Sequence, residues 1–157
     1  MGVKDSDQLT PKRRGAIAVC VREGKLLVIR RSDQVAAPGA FCFPGGGIEE
    51  SETEEQALVR ELREELNVTV RPIRRLWRSE TAWGVELCWW LAGLHDEEAI
   101  APNAEEVADY LWLSPEEIGA LPGLLSSNVA FLDALSAGEF TLDDESGGGT
   151  SSNGERC

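Results

Sequence analysis

The sequence has little of what most nucleophilic or soft-metal sites are built from. Its 157 residues include one histidine, His95, and four cysteines, Cys20, Cys42, Cys88 and Cys157. No two cysteines are close enough in sequence for a Cys-x-x-Cys pair. That argues against a zinc centre and against a histidine-dependent triad. The thiols are expected to be reduced, which fits a cytoplasmic setting. Long apolar runs are also missing. The longest, 85–94, is interrupted by Glu86 and is too short to span a bilayer, and residues 1–5 lack the apolar core of a secretory signal. No membrane partner is expected. Positive charge is scarce in the second half, where residues 79–157 carry 16 acids and one base, Arg156. Residues 1–78 are nearly balanced, with 14 bases and 12 acids. There is no basic stripe of the kind that holds a nucleic-acid backbone, so no nucleic-acid partner is expected. A phosphorylated ligand would need a divalent cation between its phosphates and these carboxylates.

A composition of 42% hydrophobic and 27% charged residues, in a chain of this length, points to one globular domain. Residues 1–13 read as a flexible arm, 14–142 as the domain, and 143–157 as a mobile acidic and Gly/Ser-rich tail. Two β-branched runs around Gly24 read as a hairpin, and 41–43 as a short extended piece before the turn Gly45-Gly46-Gly47. A helix follows over 54–66. Either Ser51 with Glu54 or Thr53 with Gln56 has the capping-box spacing, and Leu58, Leu62 and Leu66 form its buried stripe, with Ala57 and Val59 beside them. Asn67 stands where a left-handed C-cap is needed. Strands are expected over 68–77, 85–94 and 107–113. A short helix should start at Ser114-Pro115, and a last one, from about 127 to 137, should bury Val129, Phe131, Leu132 and Leu135. The order of elements predicts an α+β fold, layered α/β/α.

On the long helix Glu61, Glu64 and Glu65 fall at i, i+3 and i+4, so three carboxylates leave one side. Their repulsion calls for a positive partner. An all-oxygen donor set suits a hard divalent cation, Mg²⁺ being the commonest with phosphate substrates.

Taken with the glycines before it, Gly46-x5-Glu52-x7-Arg60-Glu61-Leu62-x-Glu64-Glu65-x-Asn67-Val68 resembles the signature of the Nudix hydrolases, G-x5-E-x7-R-E-U-x-E-E-x-G-U, where U is bulky and aliphatic. The one departure is Asn67 in place of the last glycine. Asn tolerates the left-handed region well, so the swap should cost well under ~1 kcal/mol and be neutral for catalysis.

The resemblance implies an α/β/α sandwich with a mixed central β-sheet. It also implies hydrolysis of a nucleoside diphosphate linked to another group, by water attack at phosphorus. It assigns Glu61, Glu64, Glu65 and the Gly45 carbonyl to Mg²⁺, with Mn²⁺ able to substitute, and gives Arg60 and Glu52 the task of orienting that cluster. A general base or further metal ligand is expected before the last strand, at Glu105 or Glu106, with Glu97 and Glu98 as weaker candidates. Arg30 and Arg31 are candidates for phosphate contact. Trp83, or one of Trp89 and Trp90, is a candidate for stacking a base, and Asn128 either reads a base or caps the last helix. The substrate expected from the small single-domain form is a nucleoside triphosphate, oxidised dGTP included, cleaved to monophosphate and pyrophosphate. ADP-ribose or a dinucleotide is the alternative, and a nucleotide-sensing domain without catalysis is the alternative of another class. The sequence is compatible with a monomer or a homodimer.

Overall fold

The computed structural model describes residues 12–95 and 99–143. Almost all of the expected arm over 1–13 and tail over 143–157 lies outside that range, as do Glu97 and Glu98. In chain order the elements are β1 (Arg14–Arg22), β2 (Lys25–Arg31), β3 (Phe41–Cys42), β4 (Gly45–Gly47), α1 (Glu54–Leu66), β5 (Val70–Glu80), β6 (Glu86–Leu94), β7 (Val107–Leu113), α2 (Pro115–Gly119) and α3 (Ser126–Ser136).

The strand order is β3-β2-β1-β6-β5, with β4 against β1 and β7 against β2. The β1–β6 pair is parallel and the others are antiparallel, so the sheet is mixed. Strand alternation separates two cores. Ala16, Ala18 and Cys20 of β1 and Leu27 and Ile29 of β2 meet Leu58, Leu62 and Leu66 of α1. On the opposite face Val19, Leu26 and Val28 meet Ile118 of α2 and Phe131 of α3. The expected α/β/α layering is what the chain adopts.

Local chemistry explains the helix limits. Thr53 and Gln56 form the capping box of α1, so the Ser51–Glu54 alternative is not used. Ser114 and Glu117 cap α2 in the same way, with Pro115 at its first turn. Asn67 takes the left-handed conformation, φ 59° and ψ 37°, as the C-cap of α1. Three expectations need correction. The glycines of 45–47 are not a free turn but a strand laid on β1, with Gly46 opposite Ala16. The buried stripe of α3 is Asn128, Phe131 and Ala134, whereas Val129 is 43% exposed, because the helix is rotated to bring Phe131 onto Trp89. Those two rings stack with centroids 4.7 Å apart. Asn128 is therefore inside the helix and buried, not its cap; Leu125 occupies the cap position.

One ion network was not anticipated. Glu54 accepts from Arg14 at 2.8 Å, from both Arg75 nitrogens at 3.1 Å and from the Trp90 indole at 2.7 Å. Burial works to raise its carboxyl, but the bonds from Arg75, Trp90 and Arg14 outweigh it and hold the group down at about 2. The network ties the first turn of α1 to β1, β5 and β6. A depressed folded-state value means this stability is present above the ordinary glutamate value of 4.5 and is lost as pH falls toward 2. Denaturant titrations between pH 6 and 2 should accordingly show a drop in stability below about pH 4.5 that is reduced in Glu54→Gln; an equal drop in both proteins would contradict it.

Candidate active site

The site is made where β4 runs under the middle of α1. Gly46 leaves room for a side chain only if the Glu61 carboxylate moves, since a Cβ there would lie 2.3 Å from the Glu61 carboxyl carbon. Gly45 is held still more tightly, with a φ of 151° and a Cβ position only 2.2 Å from the Ala16 carbonyl of β1. Its N–H donates to Glu65 Oε1 at 3.1 Å. The glycines thus let the backbone come close enough for main-chain groups to meet the helix carboxylates.

Arg60 organises the exposed side of this cluster. It holds Glu52 through two bonds, Nε to Oε2 at 2.6 Å and Nη2 to Oε1 at 2.9 Å. The same guanidinium donates to Glu61 at 3.0 Å, to Glu64 at 3.3 Å and to the Gly47 carbonyl at 2.9 Å. The Arg60 bonds, with the Glu49 N–H adding to them, hold the Glu52 carboxyl at about 2. Burial pushes Glu61 above the usual carboxylate range, against the pull of Arg60. Glu65 is 7% exposed, and burial first, then the charge of Glu61, raise it to about 8. Glu64 is half exposed. Among the described residues no three acid side chains already converge as a closed metal centre; Arg60 draws Glu61 and Glu64 toward itself instead. The donors are nevertheless all oxygen, with the carboxyls of Glu61 and Glu65 raised by burial, which is a set that a hard cation fits.

The segment before β7 separates its two candidates. The charge of Glu106 acts on both Glu61 and Glu65, so Glu106 belongs to the cluster. The Glu105 carbonyl accepts the Ser32 hydroxyl at 2.8 Å. Neither Ser32 nor Asn103, whose N–H donates to the Glu65 carbonyl at 2.8 Å, was found from the sequence, because no motif marks residues that act only by holding backbone.

A cleft of about 860 Å³ opens from β4 toward the β5–β6 turn, lined by Gly45, Gly46, Arg31, Phe43, Asn128 and Trp83 among others. Arg31 lines it and donates to the Ala36 carbonyl at 2.6 Å. Arg30, one residue earlier on β2, is not among the lining residues, because strand alternation turns it to the other face. Asn128 accepts the Phe43 N–H at 2.9 Å, and its Nδ2 donates to the Ser127 hydroxyl at 3.1 Å, which leaves its second amide hydrogen as a donor. Of the tryptophans considered for stacking, Trp89 is wholly buried against Phe131 and Trp90 is bonded to Glu54. Trp83 is 78% exposed, carried on a turn in which the Thr81 hydroxyl accepts from the N–H of both Trp83 and Val85.

Comparison with known proteins agrees with this architecture. Residues 11–135 match the family model of the NUDIX domain, and the chain belongs to the Nudix hydrolase family. It is 32% identical over 124 residues to the CTP pyrophosphohydrolase of Escherichia coli strain K12, covering 76% of this chain and 88% of that protein. It is also 32% identical over 124 residues to the NAD-capped RNA hydrolase NudC of Stutzerimonas stutzeri strain A1501, covering 77% of this chain but only 42% of that longer protein. Among solved structures, that of the E. coli ORF135 protein superposes with a TM-score of 0.65 at 28% identity, covering 80% of this chain and 89% of that one.

Two outcomes follow from the site's geometry. Gly45→Ala sets a Cβ against β1 backbone and should cost roughly 3 kcal/mol in denaturant unfolding. Gly46→Ala meets only the far end of the Glu61 side chain and should fold with near-native stability; equal losses in the two would refute the packing described. The raised value of Glu65 makes a contribution that is full below pH 4.5 and is lost as pH rises through about 8. In the presence of EDTA, the melting temperature should therefore fall between pH 5 and 8, and less so in Glu65→Gln.

Proposed function

We propose that the protein hydrolyses a phosphoanhydride bond of a nucleoside diphosphate linked to another group, and that its preferred substrate is a nucleoside triphosphate, cleaved to the monophosphate and pyrophosphate. The observation that carries this reading is the carboxylate cluster of α1 pressed against β4, whose glycines line a cleft large enough for a nucleotide. Glu61, Glu64 and Glu65, with the Gly45 carbonyl, would hold Mg²⁺ or Mn²⁺. Such a cation, when bound, neutralises phosphate charge and makes water more acidic. Glu106 would take the proton of the attacking water. Arg60, bonded to both Glu61 and Glu64, would orient the helix carboxylates, and Glu52 in turn fixes Arg60.

The remaining groups would bind substrate. Arg31 would meet phosphate oxygens, the Trp83 indole would stack a base, and the Asn128 amide nitrogen would donate to a base acceptor. A pyrimidine triphosphate is the first choice, because a relative of which this chain covers 88% is named CTP pyrophosphohydrolase. None of the relatives described above bears on oxidised dGTP. The name of the NudC relative makes an NAD-capped RNA the competing substrate, against the expectation that nucleic acid plays no part. With Glu61, Glu64 and Glu65 all present, catalysis is favoured over nucleotide sensing. We place the reaction in the cytoplasm, in keeping with Cys20, Cys42 and Cys88, which are free thiols.

Products are to be separated and identified after incubation with CTP, the other triphosphates, 8-oxo-dGTP, ADP-ribose and an NAD-capped RNA, each with Mg²⁺ and with EDTA. A triphosphate gives monophosphate and pyrophosphate; ADP-ribose gives AMP and ribose 5-phosphate. Turnover of a triphosphate that EDTA abolishes and Glu64→Gln lowers at least about 100-fold is the expected result. Trp83→Ala should raise KM about tenfold with kcat little changed, the signature of lost stacking. Turnover indifferent to EDTA or to Glu64→Gln would overturn the reading, and turnover of RNA alone would replace its substrate.

A further inference from the structure

The last turn of a helix leaves carbonyls with no partner inside it. In α1 these belong to the residues of the glutamate cluster itself, and the segment ahead of β7 takes them up. The Ala101 N–H donates to the Leu66 carbonyl at 2.9 Å, the Asn103 N–H to the Glu65 carbonyl at 2.8 Å, and Asn103 Nδ2 to the Glu64 carbonyl at 3.3 Å. A bond runs the other way from Asn67, whose Nδ2 donates to the Ala101 carbonyl at 2.6 Å.

From this anchor the chain leads to Glu106. The Asn103 carbonyl accepts the N–H of Glu106 at 2.9 Å and of Val107 at 2.8 Å, and its Oδ1 accepts the N–H of Glu105 at 3.2 Å. From the β2 side, the Ser32 N–H donates to the Glu106 carbonyl at 3.0 Å and its hydroxyl to the Glu105 carbonyl at 2.8 Å. Ser32 is itself 4% exposed. Glu106 thus hangs between a clasp on the C-terminus of α1 and a clasp on β2.

Asn67 is the one position at which the chain departs from the family signature, and the departure supplies this added bond. We propose that Asn67 is a positioning residue: its side-chain amide fastens segment 101–106 to the glutamate helix and so sets the Glu106 carboxylate against Glu61 and Glu65. Backbone geometry alone would be served as well by glycine, since φ is 59°. The amide is what glycine lacks. The sequence-based expectation that the swap is neutral for catalysis is therefore revised. This inference rests on the role given to Glu106 under the proposed function.

Asn67→Gly, which restores the signature, is the direct test, read by Mn²⁺ binding in electron paramagnetic resonance as well as by turnover. The expected result is an unchanged melting temperature, Mn²⁺ binding weakened about tenfold, a similar fall in kcat and no change in KM. In a Glu106→Gln background the same substitution should add nothing, which a merely structural role would not produce. Asn67→Asp, which keeps tolerance of the left-handed region but not the donor, should lose at least as much and serves if the glycine variant melts early. Wild-type Mn²⁺ affinity in Asn67→Gly, or an equal loss with and without Glu106, would overturn the proposal. If Glu106→Gln alone leaves Mn²⁺ binding and the pH profile of kcat untouched, the reading of Glu106 falls and this inference with it, while the function itself stands on the EDTA and Glu64→Gln results.

Discussion

Taking a carboxylate out of water beside other carboxylates is costly unless each oxygen meets a donor or a cation. The fold meets that cost at one place, the face of α1 that carries Glu61, Glu64 and Glu65. Arg60 provides the only guanidinium bonded to the cluster among the described residues, and it is shared among Glu52, Glu61 and Glu64. Glu65 receives a backbone N–H instead and stays largely protonated near neutral pH. The cluster is electrostatically unfinished as it stands, and a divalent cation is the simplest group that completes it.

The rest of the structure serves this arrangement. The leucine stripe of α1 fixes the helix on the sheet, so that its acidic side is turned to β4. Two glycines bring the β4 backbone within reach of Glu61 and Glu65 because no side chain intervenes. Glu54 locks the start of the helix to three strands, and the bonds from Asn67 to Ala101 and from Asn103 to Glu64 and Glu65 lock its end to the segment bearing Glu106. The helix is held at both ends while Glu61 in its middle meets β4, whose glycines line the cleft. On the function proposed above, a site that orders a cation, a polyphosphate and a water would benefit from such rigid support.

Much of this was legible in the sequence, for local reasons. The capping boxes, the Leu58-Leu62-Leu66 stripe and the spacing of the glutamates are short-range patterns, and they define α1 and its acidic face without tertiary information. Trp89 and Trp90 were bound to face opposite ways because they share a strand. Less legible was everything fixed by contacts distant in sequence. The rotation of α3, which exposes Val129 and buries Asn128, is set by the fit of Phe131 onto Trp89. The choice between Glu105 and Glu106, and between Arg30 and Arg31, depends on which way a strand or loop residue is turned. Ser32, Asn103 and the side chain of Asn67 act by bonding remote backbone, which no motif records.

The central claim is that the unfinished carboxylate cluster on α1 is completed by a divalent cation held against β4. Anomalous diffraction from crystals soaked in Mn²⁺ tests it most directly. The account predicts a Mn²⁺ peak at about 2.1 Å from oxygens of Glu61 and Glu65 and from the Gly45 carbonyl, with Arg60 still bonded to Glu52. A peak elsewhere on the surface, or none at the cluster at saturating Mn²⁺, would contradict it.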